Sequence, residues 1–175
     1  NSGTSSLLIA LQTLKDLHGW NDGDEIIVPS LTFVATINIV LQNNLKPILV
    51  DIERDYYAMD PGKIEAAINP QTRCIIPVHP FGQPAEMQSI FDIAIAHKLK
   101  IIEDSCEAMF VKSKDCPVGG WGDISCYSMY VAHLITTGVG GIATTDEPEY
   151  AEYMRSLVNH GRDNIYINID DGKDR

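Results

Sequence analysis

Apolar positions along the chain switch repeatedly between helical and strand spacing. From Ser5 to His18, Leu7, Leu8, Leu11 and Leu14 recur at helical intervals, and Gly19 follows as a stop. Glu25 to Val28 is a short apolar run ending at Pro29, which predicts a strand. Helical spacing returns over Phe33 to Leu41 through Ile37, Val40 and Leu41, and Pro47 to Ile52 predicts the next strand. A short helix is expected from Pro61 to Ile68, with proline at its first position. Cys74 to Val78 reads as a strand. Ala85 to Lys98 is the clearest helix, with Met87, Ile90, Phe91, Ala94 and Ile95 on one side. Lys100 to Glu103, Ile124 to Met129 and Gly141 to Thr144 complete the strands, and Pro148 to Asn159 is a final helix.

Strands separated by helices of this length require crossover connections, so the pattern predicts an α/β fold with a mainly parallel sheet covered on both faces. The 175 residues, 45% hydrophobic and 21% charged, suit one sizeable core. A net charge of −11 argues against a nucleic-acid or anionic-membrane partner, and any bound phosphate must be held by local geometry. Cys74, Cys106, Cys116 and Cys126 form no close pair of the kind used by zinc ribbons or dithiol motifs. Their spread fits a reducing cytoplasm. Neither a signal peptide nor a membrane-length apolar run is visible. Asn1-Ser2-Gly3-Thr4 reads as a turn already in use, and 164–175 is a polar tail with no apolar face. Both ends look cut, so the expectation is a piece of a longer protein, with its folded part over 1–163.

In such sheets ligands sit at the carboxyl ends of the strands. Asn1 to Ser6 runs into a helix, where a glycine, hydroxyls and free amides bind a phosphate or simply cap the helix. Asp104 ends a strand, where an acid serves as a loop cap, a metal ligand or a cofactor partner. Gly138 to Gly141 is equally a tight turn, and it lacks the spacing of a dinucleotide-binding loop.

Taken in order, these segments resemble the DegT/StrS family of sugar aminotransferases and dehydratases. The matching stretches are Asn1–Ser6, Gly23–Thr36, Pro47–Asp51, Ile76–Met87, Ile102–Ala108, Gly122–Ser128, Thr136–Gly141 and Asn159–Asp163. The resemblance implies the large domain of a three-layer, fold-type-I enzyme dependent on pyridoxal 5'-phosphate (PLP). It also implies a homodimer, with a C-terminal small domain beyond this chain, acting on a nucleotide sugar. Residue by residue, it assigns Gly3, Thr4, Ser5 and Ser128 to the cofactor phosphate. Phe33 falls to the face of the pyridine ring and Asp104 to the pyridine nitrogen, whose protonated form a carboxylate favours. Read without the resemblance, Phe33 is a core aromatic on a helix and Ser128 a strand hydroxyl facing solvent.

Three positions depart from the family pattern. The lysine that bonds to the cofactor is replaced by His133, three residues before Thr136-Thr137. Imidazole has no primary amine and cannot make that bond, yet it moves protons, with an unperturbed pKa of about 6.5. Three residues after Asp104 stands Glu107, where the aminotransferases usually have Gln. The His133–Glu107 pairing is similar to the 3-dehydratase branch, which implies pyridoxamine 5'-phosphate (PMP) held without a covalent bond. In that branch His133 acts as the base and the hydroxyl at the sugar's third carbon is lost. Val139 replaces a frequent glutamate in the glycine-rich turn, and no physical reason for that change is evident. Two other readings stand beside 3-dehydration: amino transfer from a donor such as glutamate, and an inactive chain that binds cofactor or partner only.

Overall fold

The computed structural model describes residues 1–162; the tail expected over 164–175, and Asp163, lie outside them. The sheet has six strands. β1 (Glu25–Pro29), β2 (Lys46–Val50), β3 (Thr72–Ile75), β4 (Lys100–Asp104), β7 (Ile124–Ser128) and β8 (Gly141–Thr144) are arranged in the order β2-β1-β3-β4-β7-β8. All neighbours are parallel except β7 and β8, which pair antiparallel with Ser128 opposite Gly141. A two-stranded hairpin, β5 (Lys112–Ser113) with β6 (Cys116–Pro117), lies apart from the sheet.

Alternating side chains build two cores. Ile26 and Val28 of β1, Cys74 of β3, Ile102 of β4, and Ile124 and Cys126 of β7 pack on one face. They meet α1 (Gly3–His18), α2 (Val34–Gln42) and α5 (Pro148–Val158). Ile27, Ile75 and Ile101 point the other way, toward α3 (Pro61–Ile64) and α4 (Met87–His97). Helices on both faces of a parallel sheet make three layers. Leu7, Leu11 and Leu14 of α1 are fully buried, each stabilising the fold by roughly 1.5–3 kcal/mol through burial. Leu11→Ala would cost this layer about 2–5 kcal/mol, as for other leucines truncated in a packed core.

The caps explain where elements start and stop. Ser2 caps α1 by accepting from the Ser5 amide, so the helix begins at Gly3, two residues earlier than apolar spacing indicates. Gly19 ends it in the left-handed conformation at φ 63°. The helix expected over 61–68 is α-helical only to Ile64 and tightens into a 3₁₀ turn over Glu65–Ala67. The helix expected from Ala85 starts at Met87, because Glu86 stands at φ −70° and ψ 66°, outside the helical region. Pro47 sits inside β2, which a proline tolerates because β2 is an edge strand.

The chain runs from β1 to β2 on one side, then crosses to β3 on the other. The order reversal lies between β1 and β3, at whose carboxyl ends α/β sheets bind ligands.

Candidate active site

Four segments distant in sequence converge at this end of the sheet. Asp104 closes β4 and is buried, on the face shared with α1 and α2. Its Oδ2 accepts a 2.8 Å hydrogen bond from the Thr36 hydroxyl on α2, and its Oδ1 accepts from the Cys106 amide at 3.3 Å. The backbone is clamped as well: the Asp104 amide donates to the Pro77 carbonyl, and the Asp104 carbonyl accepts from the His79 amide.

The start of α1 closes against the ends of β4, β7 and β8. A Cβ on Gly3 would stand 2.7 Å from Cys106 Sγ and 2.8 Å from Ser128 Cβ, so only glycine allows this approach. A Cβ on Gly141 would collide with the Ser2 carbonyl, and the glycine-rich turn therefore lies directly on the helix start. The Ser6 amide makes the first helical bond, to Ser2 O, and Ser2 Oγ holds the Ser5 amide. The amides of Gly3 and Thr4 stay outside the helical ladder, at the positive end of a sixteen-residue helix. Ser5 Oγ donates to Asn1 Oδ1 at 2.6 Å, and Thr4 is exposed. The buried Ser128 hydroxyl accepts from the Tyr130 amide at 3.3 Å. It does not face solvent, because β7 lies between β4 and β8 and Gly3 covers its end.

Phe33 is the residue before α2 and is 71% exposed, which removes the core-aromatic reading. Glu107 Oε2 accepts a 2.7 Å bond from the amide of Phe81, a non-glycine residue held at φ 56°. A left-handed Phe next to a candidate site is the kind of strain that surroundings must impose. His133 lies in the connection from β7 to β8. Its amide donates to Tyr130 O and its ring meets the Tyr130 ring edge-on at 6.2 Å. Among the described residues it makes no hydrogen bond with Asp104 or Glu107. In the same connection Val131, Leu134 and Val139 are exposed. The two nearby thiols are poor nucleophiles: burial pushes both Cys106 and Cys126 well up, and the Asp104 carboxylate adds to this.

Comparisons with known proteins bear on the family and the fold. The sequence profile of the DegT/DnrJ/EryC1/StrS aminotransferase family matches residues 1–170. The chain belongs to that family. It is similar to the UDP-N-acetyl-3-dehydro-alpha-D-glucosamine 3-aminotransferase of Acidithiobacillus ferrooxidans, with 42% identity over 91% of this chain and 42% of that protein. GDP-perosamine synthase of Caulobacter vibrioides is 39% identical over 93% of this chain and 43% of its own length. The chain thus spans less than half the length of these relatives.

Solved structures of family members superpose closely. DesV of S. venezuelae, in complex with a ketimine intermediate, gives a TM-score of 0.87 at 36% identity, covering 95% of this chain and 44% of that one. NtdA of Bacillus subtilis with bound PMP gives 0.85 at 37% identity, covering 97% and 37%. A histidine-to-asparagine variant of GDP-4-keto-6-deoxymannose-3-dehydratase (ColD) with bound GDP-perosamine gives 0.81 at 26% identity, covering 89% and 40%. The architecture is that of the fold-type-I large domain, as the sequence reading expects. Sequence reasoning missed Thr36 as a partner of Asp104, since 68 residues separate them and a threonine inside an apolar helix carries no signal of its own.

Proposed function

We propose that this chain is the cofactor-binding half of a PLP/PMP-dependent enzyme that modifies nucleotide-activated keto sugars and holds its cofactor without a covalent bond. The observation that carries this reading is His133 in the slot of the family's lysine, within a run of motifs in family order. Gly3, Thr4, Ser5 and Ser128 suit a phosphate: the bare Gly3 backbone, two free amides and a buried hydroxyl converge at a helix start. Asp104 suits a ring nitrogen, because each carboxylate oxygen has spare acceptor capacity after its one donor. Phe33 supplies an exposed aromatic face. When bound there, the cofactor supplies an electron sink and an exchangeable amine.

The chain's own part is to orient and to move protons. Asp104 would hold the ring nitrogen, Phe33 would lie against the ring face, and His133 would accept and return a proton. Glu107, already bonded to the Phe81 amide, presents a second carboxylate. The named relatives favour transfer of an amino group to the sugar. One observation in the sequence points to 3-dehydration instead: His133 and Glu107 stand where the family's aminotransferases usually have Lys and Gln. The exposed apolar loops around His133 fit burial against a second copy of the enzyme.

The deciding experiment is a single turnover of the full-length, PMP-loaded enzyme with a nucleotide-linked 4-keto-6-deoxyhexose, read by product mass. An aminosugar supports amino transfer, and a sugar lacking the third-carbon oxygen supports dehydration. Unchanged substrate, with PMP bound, overturns both and leaves a chain that only binds.

A further inference from the structure

Two hydroxyls stand behind Asp104, that of the buried Thr36 and that of the half-buried Thr32. Thr36 is completely buried on the first turn of α2, yet its hydroxyl does not return to its own helix backbone. It donates instead to Asp104 Oδ2 at 2.8 Å, from α2 to the end of β4, with β3 between their sheet neighbours. A hydroxyl has a single hydrogen, so the 2.8 Å contact between Thr36 Oγ1 and Thr32 Oγ1 must then be donated by Thr32. The result is a directed chain from Thr32 through Thr36 to Asp104. The three groups come from the loop after β1, the start of α2 and the end of β4.

We infer that Thr36 is a positioning residue for Asp104, with Thr32 behind it. Resting on the reading of Asp104 as the ring-nitrogen partner, the argument is geometric. A carboxylate on a strand end rotates about two side-chain bonds, and two fixed donors are needed to hold its plane. The Cys106 amide holds Oδ1 at the longer distance of 3.3 Å, and Thr36 holds Oδ2 at the shorter one. The Cys106 amide can only donate, and the Thr36 hydroxyl donates to Oδ2, so both partners match an ionised acceptor. The same helix start carries Phe33, whose carbonyl accepts the Thr36 amide at 3.1 Å. Thr36 therefore ties the residue proposed for the ring face to the residue proposed for the ring nitrogen.

The test uses the full-length enzyme reconstituted with PMP and compares Thr36→Val, Thr36→Ser and Asp104→Asn. Valine keeps the shape and removes the donor. Expected for Thr36→Val is a displaced pH dependence of bound-PMP absorbance, with PMP affinity lowered by roughly 10- to 100-fold, the range for a hydrogen bond to a charged group. Thr36→Ser restores both. Thr32→Val, which removes only the outer hydroxyl, gives a smaller displacement in the same direction and serves if Thr36→Val fails to fold. If Asp104→Asn displaces the absorbance profile while Thr36→Val and Thr32→Val leave it as in the parent enzyme, the inference about Thr36 is wrong. If Asp104→Asn leaves it unchanged, Asp104 does not face the ring and the underlying reading of the site fails.

Discussion

Glu103 and Asp104 are adjacent carboxylates on one strand, and the pleat sends them to opposite faces of the sheet. Glu103 is completely buried and takes donors from the amides of Gly119, Trp121 and Gly122 and from His79 Nε2. His79 is equally buried, and its Nδ1 accepts the Ala85 amide, which leaves the proton on Nε2 for Glu103. Every site on this pair is used. Burial alone would raise the Glu103 carboxyl, but the His79 and backbone hydrogen bonds outweigh it and hold the group below the usual carboxylate range. Asp104 has two donors and room for more. The difference separates a carboxylate that locks loops together from one kept available for a ligand.

Breaking that contrast on the Glu103 side produces the largest expected effect. Glu103→Ala takes the acceptor from three amides and from the buried His79, and is expected to cost about 3–5 kcal/mol, a large share of a typical domain's stability. Asp104→Asn is expected to cost under about 1.5 kcal/mol while lowering turnover on the order of 100-fold. Urea melts and steady-state kinetics of the two variants check this, and equal melts would erase the distinction.

Gly141→Ala comes next. Its methyl group would meet the Ser2 carbonyl, push the turn off the start of α1 and destabilise the fold by roughly 1–3 kcal/mol. It should also weaken PMP binding, measured by calorimetry.

The pH dependence of stability is a smaller effect. A folded-state pKa held below the unfolded one means that the unfolded chain binds more protons, so stability rises with pH across that window. The Glu103 contribution is fully present above the unfolded value of about 4.3 and is lost as pH falls through the lower folded value. Glu103→Gln should flatten that part of the profile. The smallest effect is expected for Glu107→Gln. The amide oxygen still accepts from Phe81, so stability should move by only about 0.5 kcal/mol, while the pH dependence of bound-cofactor absorbance shifts.

Legibility in the sequence followed the range of the physics involved. Local signals placed α1, its glycine stop, the parallel strands and Asp104 at a strand end, because caps and periodicity act within a few residues. The hairpin of β5 and β6 left no such signal, since two-residue strands are too short for a period. The exposure of Phe33 and the burial of Ser128 depend on which strands become neighbours, which spacing does not encode. Thr36 to Asp104 and His79 to Glu103 are tertiary contacts made only when separate loops meet. Motif resemblance supplied Phe33, Ser128 and His133 as site residues, because their roles lie toward a ligand that leaves no periodicity in the chain.

The central claim is that His133 occupies the position from which the family's lysine bonds to its cofactor. The direct measurement is borohydride reduction of the full-length enzyme with PLP, followed by peptide mass mapping, for the parent and His133→Lys. The account predicts a reduced adduct at position 133 in the variant and none in the parent. Turnover of His133→Ala should fall about 10²–10⁴-fold, as for loss of a general base. A variant that folds and binds PLP yet forms no adduct at position 133, or a parent enzyme that forms one on another lysine, would contradict it.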